Sequence, residues 1–399
     1  MIQNKMSRKI SMPSKLPPQN SYDGFEQGPI RPPSEAKSLL VRVTRNCPWN
    51  HCSFCPIYKR AEFSIRPTEH VIKDIDQVFE SIEMLKGVTD INRQILYKDA
   101  MELAKDLAEN RRTAFYAAFQ WVINGMRSIF IQDANSLVIK PENMLVILNH
   151  LTSCFPNVVR ITSYARSHTI ARISDQNLAA MQAAGLNRIH IGLESGSDKV
   201  LKSIKKGVDQ KTHIKAGRKI KQAGMALSEY VMPGLGGRAL SHEHAVQSAL
   251  ALNQINPDFI RIRTLAIPDS TPLYHKVASG GFEKLSDIEM VKELRTFIQS
   301  LDGITSRIKS DHILNLFQEI EGRLPQDKAS LLAVIDSFLE MSPRKQCLFQ
   351  VGRRLGVLNR LKDLDNPRRV AKVETFCHDH GITPDNVEAM ITEIMKRFV

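Results

Sequence analysis

The sequence predicts an α/β protein in which a parallel sheet is covered by helices. Three observations carry this. Short apolar runs alternate with segments of 3.6-residue spacing, the runs are continuously apolar as in strands buried on both faces, and 399 residues with 42% hydrophobic content can bury a sizeable core. Whether the sheet stays open or curls into a barrel is left undecided by this pattern.

Residues 1–36 hold Pro13, Pro17, Pro18, Pro29, Pro32 and Pro33 without apolar periodicity, and read as an extended, disordered arm. The folded part opens with a strand at Leu39–Thr44 that ends at a cluster of cysteines. Further strands are expected at Ser128–Gln132, Val158–Ser163, Arg188–Leu193, Leu227–Met232 and Phe259–Ala266. Between them, helical spacing runs over Thr68–Leu85, Glu142–His150, Asp175–Ala184, Thr212–Ala223 and Glu243–Ile255. Gly185 and Gly224 stand where a helix end often needs a left-handed residue. Ile91–Arg127, with Phe115, Phe119 and Trp121, suggests an inserted helical hairpin. Beyond about residue 285 the pattern is helical only. The expected organisation is therefore an arm (1–36), an α/β unit (37–284) with a helical insertion (91–127), and a C-terminal helical region (285–399).

With 55 Lys+Arg against 42 Asp+Glu the net charge is +13, which suits polyanions such as nucleic acid, anionic lipid or a phosphorylated substrate without selecting one. No apolar run approaches the roughly 18 residues that cross a bilayer, and the first thirty residues are too polar for a signal peptide, so a cytoplasmic protein without membrane contact is expected. Six cysteines are too few for a disulfide scaffold, leaving thiols free for metal or catalysis.

Asn46-Cys47-Pro48-Trp49-Asn50-His51-Cys52-Ser53-Phe54-Cys55-Pro56 places three thiols on one loop at C-x4-C-x2-C spacing. Thiolates suit iron–sulfur clusters or zinc. Zinc normally takes a fourth protein ligand, and His51 is awkwardly adjacent to Cys52 for that role. A [4Fe–4S] cluster on three thiolates leaves one iron open. The loop, the strand before it and Phe54 resemble the radical S-adenosylmethionine (SAM) enzymes over about Leu39–Pro268, and the chain to about Arg354 is similar to their elongator-type and methylthiotransferase-type members. The family spacing is C-x3-C-x2-C, so this chain carries one extra residue between its first two cysteines. The resemblance implies a partial (β/α)6 TIM-like barrel with a helical insertion and a C-terminal helical appendage. It also implies a [4Fe–4S] cluster on Cys47, Cys52 and Cys55, SAM across the carboxyl ends of the strands, and an electron donor such as flavodoxin or ferredoxin.

Polar residues or glycines that end an apolar strand are the remaining candidates, since parallel sheets bind ligands at their carboxyl ends. Asp133 and Asn135 stand where the family's glycine-glycine-glutamate element meets the SAM amino group; the same stretch also reads as a turn and helix cap. Tyr164 and Arg166 end the third strand, and a planar guanidinium suits SAM's carboxylate. Ile189-His190-Ile191-Gly192-Leu193-Glu194-Ser195-Gly196-Ser197 resembles the family's fourth-strand signature, with Glu194 and Ser195 placed for SAM's amino or ribose groups. Gly234, Gly236 and Gly237 resemble its adenine-binding element.

Ser310 is read as the N-cap of a helix that would bring His312 and Asn315 to one face, either as substrate-side residues or as part of a plain capped helix. No cysteine precedes Cys47, so the second cluster of methylthiotransferases is not expected. The catalytic residues and the substrate stay open. The substrate is a small molecule or peptide, with tRNA or another nucleic acid as the alternative suggested by the basic stretches Lys199–Lys221 and Arg344–Lys372. A non-enzymatic zinc-binding scaffold using the same cysteines is the competing reading.

Overall fold

The computed structural model describes residues 21–88 and 95–395. The chain enters the sheet as β1 (Leu39–Val41), leaves it through a ribbon of β2 (Thr44–Arg45) and β3 (Ser64–Ile65), and returns as β4 (Ser128–Ile131). It continues through β5 (Arg160–Tyr164), β6 (Leu186–Glu194), β7 (Ala226–Val231), β8 (Phe259–Ile262), β9 (Arg307–Lys309) and β10 (Gly322–Arg323). The eight-stranded sheet has the order β1-β4-β5-β6-β7-β8-β9-β10, parallel from β1 to β9 with β10 antiparallel at the edge. Ile129, Ile131, Ile161, Ile189, Ile191, Leu193, Leu227 and Ile260 are all buried, which accounts for the continuously apolar strands.

The crossover helices are α1 (Thr68–Lys86), α4 (Pro141–Cys154), α6 (Asp175–Ala183), α8 (Gln210–Gln222), α9 (Gly237–Ile255) and α11 (Asp287–Ser300), with short helices α5 (Ser167–Ile170), α7 (Asp198–Ser203) and α10 (Pro272–Ala278) between them. Their starts carry local caps: Ser174 accepts from the Asn177 amide, Asp209 from the Thr212 amide, and Ser286 with Glu289 forms a reciprocal capping box. Gly185 and Gly224 follow α6 and α8 with φ of +106° and +76°. The insertion is a hairpin of α2 (Tyr97–Lys105) and α3 (Glu109–Ile123), anchored by Phe115, Phe119 and Trp121, all buried; the part of the expected insertion at 91–94 lies outside the described residues.

Three expectations need correction. The chain is not helical only beyond residue 285, because Arg307–Lys309 adds a seventh parallel strand and Gly322–Arg323 an eighth, antiparallel one. The segment from Ser310 opens no helix: Ser310 Oγ donates to the Phe317 carbonyl, and Asn315 Nδ2 donates to the Ile262 carbonyl at 2.8 Å, which folds the chain into a loop against β8. Third, the arm as far as residue 20 lies outside the described residues, but residues 21–36 pack against the sheet. The Gln132 amide group bonds Gly28 N, Gly28 O and Ile30 O, while Phe25 and Glu35 are buried. An extended, proline-rich segment is thus held by a side chain that satisfies its backbone.

The C-terminal region is α12 (Lys328–Leu339), α13 (Pro343–Arg354), α14 (Pro367–Asp379) and α15 (Val387–Met395), built around Phe317, Phe338 and Phe349. Among the described residues no helix is long and apolar enough to cross a membrane.

Candidate functional site

A cavity of about 350 Å³ opens over the carboxyl ends of the strands. The cysteine loop forms one wall, held at its ends by the β2–β3 ribbon. Trp49 docks the loop against the turn after α7, donating from Nε1 to the Lys205 carbonyl at 2.8 Å. That turn leaves no room for a side chain at Gly207, where φ is +71° and a Cβ would meet the indole at 2.2 Å. The Ser53 amide donates to the Ile204 carbonyl at 2.9 Å, and Phe54 packs with Val200, Ile204, Met232, Leu235, Leu265 and Leu273. Asn50, with φ of +46°, turns the chain within the longer Cys47–Cys52 step, and its amide donates to Cys47 Sγ at 3.4 Å.

Cys47, Cys52 and Cys55 all line the cavity and are free thiols. Burial raises the Cys52 and Cys55 thiols above their ordinary value, opposed at Cys52 by the charges of Lys206 and Arg166 and at Cys55 by the Ile57 amide. Among the described residues a triad of ligand atoms all within 4.8 Å of one another occurs at Asp76, His150 and Cys154, and not at this loop. A single tetrahedral ion needs its sulfurs about 3.8 Å apart, whereas a cluster takes each thiolate on a separate iron.

Phe54, Tyr164, Arg166, Glu194 and His312 line the same cavity. Glu194 ends β6 with φ of +62°, a conformation costing about 1–3 kcal/mol for a residue with a side chain. Its carboxylate meets Lys206 Nζ at 3.1 Å, in space that only a glycine at 192 leaves open, since a Cβ there would fall 2.3 Å from Glu194 Oε1. Burial alone would depress the Lys206 ammonium, but Glu194 and Cys52 outweigh it and hold it above its usual range. Arg166 lies 4.9 Å from the Trp49 ring centroid and donates to the Lys206 carbonyl at 2.7 Å. Tyr164 and Tyr230 form the floor with ring centroids 5.9 Å apart.

Other expected residues lie behind the cavity wall. Asp133 is buried and accepts from Arg42 Nε and Tyr58 OH, each at 2.7 Å. Asn135 accepts from the Arg166 amide at 3.0 Å and donates to Thr169 at 2.9 Å. Ser195 Oγ contacts His244 Nδ1 at 2.8 Å and accepts from the Ser197 amide at 3.1 Å. The glycine loop is not brought to the cavity. Side chains at Gly234, Gly236 and Gly237 would meet Met290, Leu240 with His244, and Phe282 with Glu283 respectively, and the Gly234 amide donates to Glu293 at 2.6 Å. Asn315 is buried and ties its loop to Thr264, apart from His312.

Sequence reasoning did not single out Lys206, His213 or Arg263, which also line the cavity. His213 is buried, its Nδ1 2.6 Å from Ser167 Oγ, and its Nε2 has no hydrogen-bond partner among the described residues; burial pushes it down to about 3. Lys206 was hidden in a lysine-rich stretch, and Arg263, one residue past the end of β8, is not distinguished in the sequence from Arg261, which pairs with Asp311 instead of lining the cavity.

A human mitochondrial tRNA methylthiotransferase, CDK5RAP1, is 20% identical over 289 residues, covering 68% of this chain and 45% of its own length. A tRNA uridine(34) acetyltransferase from Methanocaldococcus infernus is 26% identical over 142 residues, covering 35% of this chain and 26% of its own. The chain thus spans less than half the length of these relatives. Among solved structures, methylornithine synthase (PylB) is 15% identical with a TM-score of 0.41, covering 74% of this chain and 68% of that one. The profile of the radical SAM superfamily matches residues 41–249, just over half of the chain, from the last residue of β1 through the cysteine loop into α9, and the chain belongs to that superfamily.

Proposed function

We propose that this chain is an enzyme that holds one [4Fe–4S] cluster on Cys47, Cys52 and Cys55, binds SAM in the adjoining cavity, and uses it to abstract hydrogen from a substrate. The observation that carries the reading is the three free thiols on the wall of one cavity, not all within 4.8 Å of one another, with Arg166 and Glu194 lining the same cavity. Electron transfer into the sulfonium of SAM, breaking its S–C5′ bond to give methionine and a 5′-deoxyadenosyl radical, is the chemistry such a cluster supplies when bound. Arg166 is placed for the methionine carboxylate and Glu194, with Lys206 as its counter-ion, for the amino group or ribose; Tyr164 and Phe54 supply apolar walls. In the same reading Asp133, Asn135 and Ser195 position these groups rather than touch SAM. The electron comes from a carrier such as flavodoxin or ferredoxin, and free thiols of this kind suit the reducing cytoplasm.

Anaerobically purified protein should be brown and carry about four iron per chain, and dithionite with SAM should yield 5′-deoxyadenosine. Changing Cys47, Cys52 or Cys55 to Ala should abolish that product and most of the cluster absorbance. A colourless protein loaded with zinc would establish the scaffold reading instead.

A tRNA substrate is the second reading. It is favoured by Lys202, Lys205, Lys211 and Lys215, which are exposed on the turn and helix next to the cavity wall, and by the tRNA named in both curated relatives. Binding of unmodified tRNA that weakens steeply with salt, and less steeply when these lysines are changed to Gln, tests it.

A further inference from the structure

The cavity is lined by a cation, Arg263, to which the SAM reading above gives no role. Resting on the reading above, we propose that Arg263, with His312 beside it, receives an anionic group of the substrate, a carboxylate or a phosphate. Arg263 follows the end of β8, its amide donating to the Val231 carbonyl at 3.0 Å, and its side chain lines the cavity. Among the described residues its guanidinium has no hydrogen bond or ion pair, whereas Arg261, two residues earlier, is paired with Asp311 at 2.5 Å. Arg263 is exposed where it lines the cavity, and its charge acts on Tyr164, Tyr230 and His312.

Charge accounting around the cavity points the same way. Its lining cations are Arg166, Lys206 and Arg263, and its lining carboxylate is Glu194, which already holds Lys206. SAM has one anionic group, and Arg166 stands next to the cysteine loop to take it. In the sheet β8 is three strands from β5, roughly 14 Å at ~4.8 Å per strand, and Arg166 is turned towards Trp49 and the Lys206 carbonyl. In the reading above the SAM carboxylate is assigned to Arg166, which leaves Arg263 without an anion. Arg263 is left with a planar fork of donors suited to bidentate binding of a second anion. His312 Nδ1 accepts from the Leu314 amide at 3.3 Å, which leaves its Nε2–H as a further donor into the cavity. Burial, followed by the Arg263 charge, pushes this ring down to about 4, so it serves as a neutral donor.

The test is calorimetric titration of the cluster-loaded protein, saturated with SAM at low salt, with inorganic phosphate and separately with succinate. One of the two should bind saturably at one per chain, and which one binds distinguishes phosphate from carboxylate. Arg263→Gln should weaken that binding about tenfold or more, as expected for loss of a charge-assisted bond. Arg263→Lys should weaken it less, His312→Ala should also weaken it, and Arg112→Gln, at an exposed position on α3 outside the cavity, should bind as the wild type does. Absence of saturable binding of both anions, or equal affinity in wild type and Arg263→Gln, overturns the assignment. Failure of the SAM reading is seen separately, as wild-type protein that forms no 5′-deoxyadenosine with dithionite.

Discussion

Glu293 is buried between α11 and the glycine loop, where its carboxylate accepts from the Gly234 amide and the Ser241 hydroxyl, each at 2.6 Å. Burial pushes its pKa up to about 7, and the two hydrogen bonds only partly oppose the rise. The folded value lies above the unfolded one, so the folded chain binds the extra proton. The stability this contributes is fully present below about pH 4.5 and is lost as pH rises through about 7. Thermal unfolding at pH 5 and pH 8 should therefore show the wild type losing on the order of 1–3 kcal/mol more than Glu293→Gln across that interval. Parallel pH profiles for the two proteins would contradict it. Neither this carboxylate nor Lys206 was legible in the sequence, because Glu293 lies in an ordinary amphipathic helix and Lys206 among other lysines. Their roles depend on partners 59 and 12 residues away. The cysteines were legible because three soft ligands within nine residues form a pattern on their own.

At the scale of elements, the turn after α7 positions the cysteine loop more directly than any strand does. Lys205 and Gly207 both have positive φ, which turns Lys206 inward and presents a bare backbone to Trp49. Gly207→Val would place branched carbons inside the indole. It should expel Trp49, shift its fluorescence to the red, and at least halve the iron bound on reconstitution, measured per chain. Gly224→Ala is the contrasting case: φ is +76° but nothing lies within 4 Å of the added carbon, so it should cost about 1 kcal/mol and leave iron content unchanged. Equal iron loading in both variants would show that the turn does not hold the loop. The main strands and helices were readable from period and burial, whereas β9 was not, because only Ile308 of its three residues is fully buried and its flanks are charged. The expected strand to Ala266 stops at Ile262 because Asn315 takes the Ile262 carbonyl and the Thr264 amide that a neighbouring strand would otherwise use.

Across the whole molecule, the C-terminal helices brace the barrel at the loop that carries His312 and Leu314. Arg353 donates to the carbonyls of Leu316 and Asn315, and Arg354 donates to that of Leu314 while meeting both Asp287 oxygens at 3.1 Å. Two charges of the basic stretch Arg344–Lys372 are therefore buried structural donors rather than a polyanion surface. Arg354→Met leaves Asp287 buried without its cation and should cost about 3–5 kcal/mol in urea unfolding. Part of that loss should return in the double variant with Asp287→Asn; a single-variant cost below about 1 kcal/mol would show that the brace is dispensable. The sequence by itself determined the α/β class, the order of the main elements, the cysteine loop, and Arg166 and Glu194 at strand ends, because apolar period and short-range ligand spacing are local properties of the chain. Only the tertiary structure decided that Asp133 is held by Arg42 and Tyr58 and the Gly234 amide by Glu293, that residues 21–36 pack against the sheet, and that Lys206 and Arg263 line the cavity. Those outcomes depend on which distant groups satisfy each buried charge and backbone amide, and that pairing exists only once the sheet has curled.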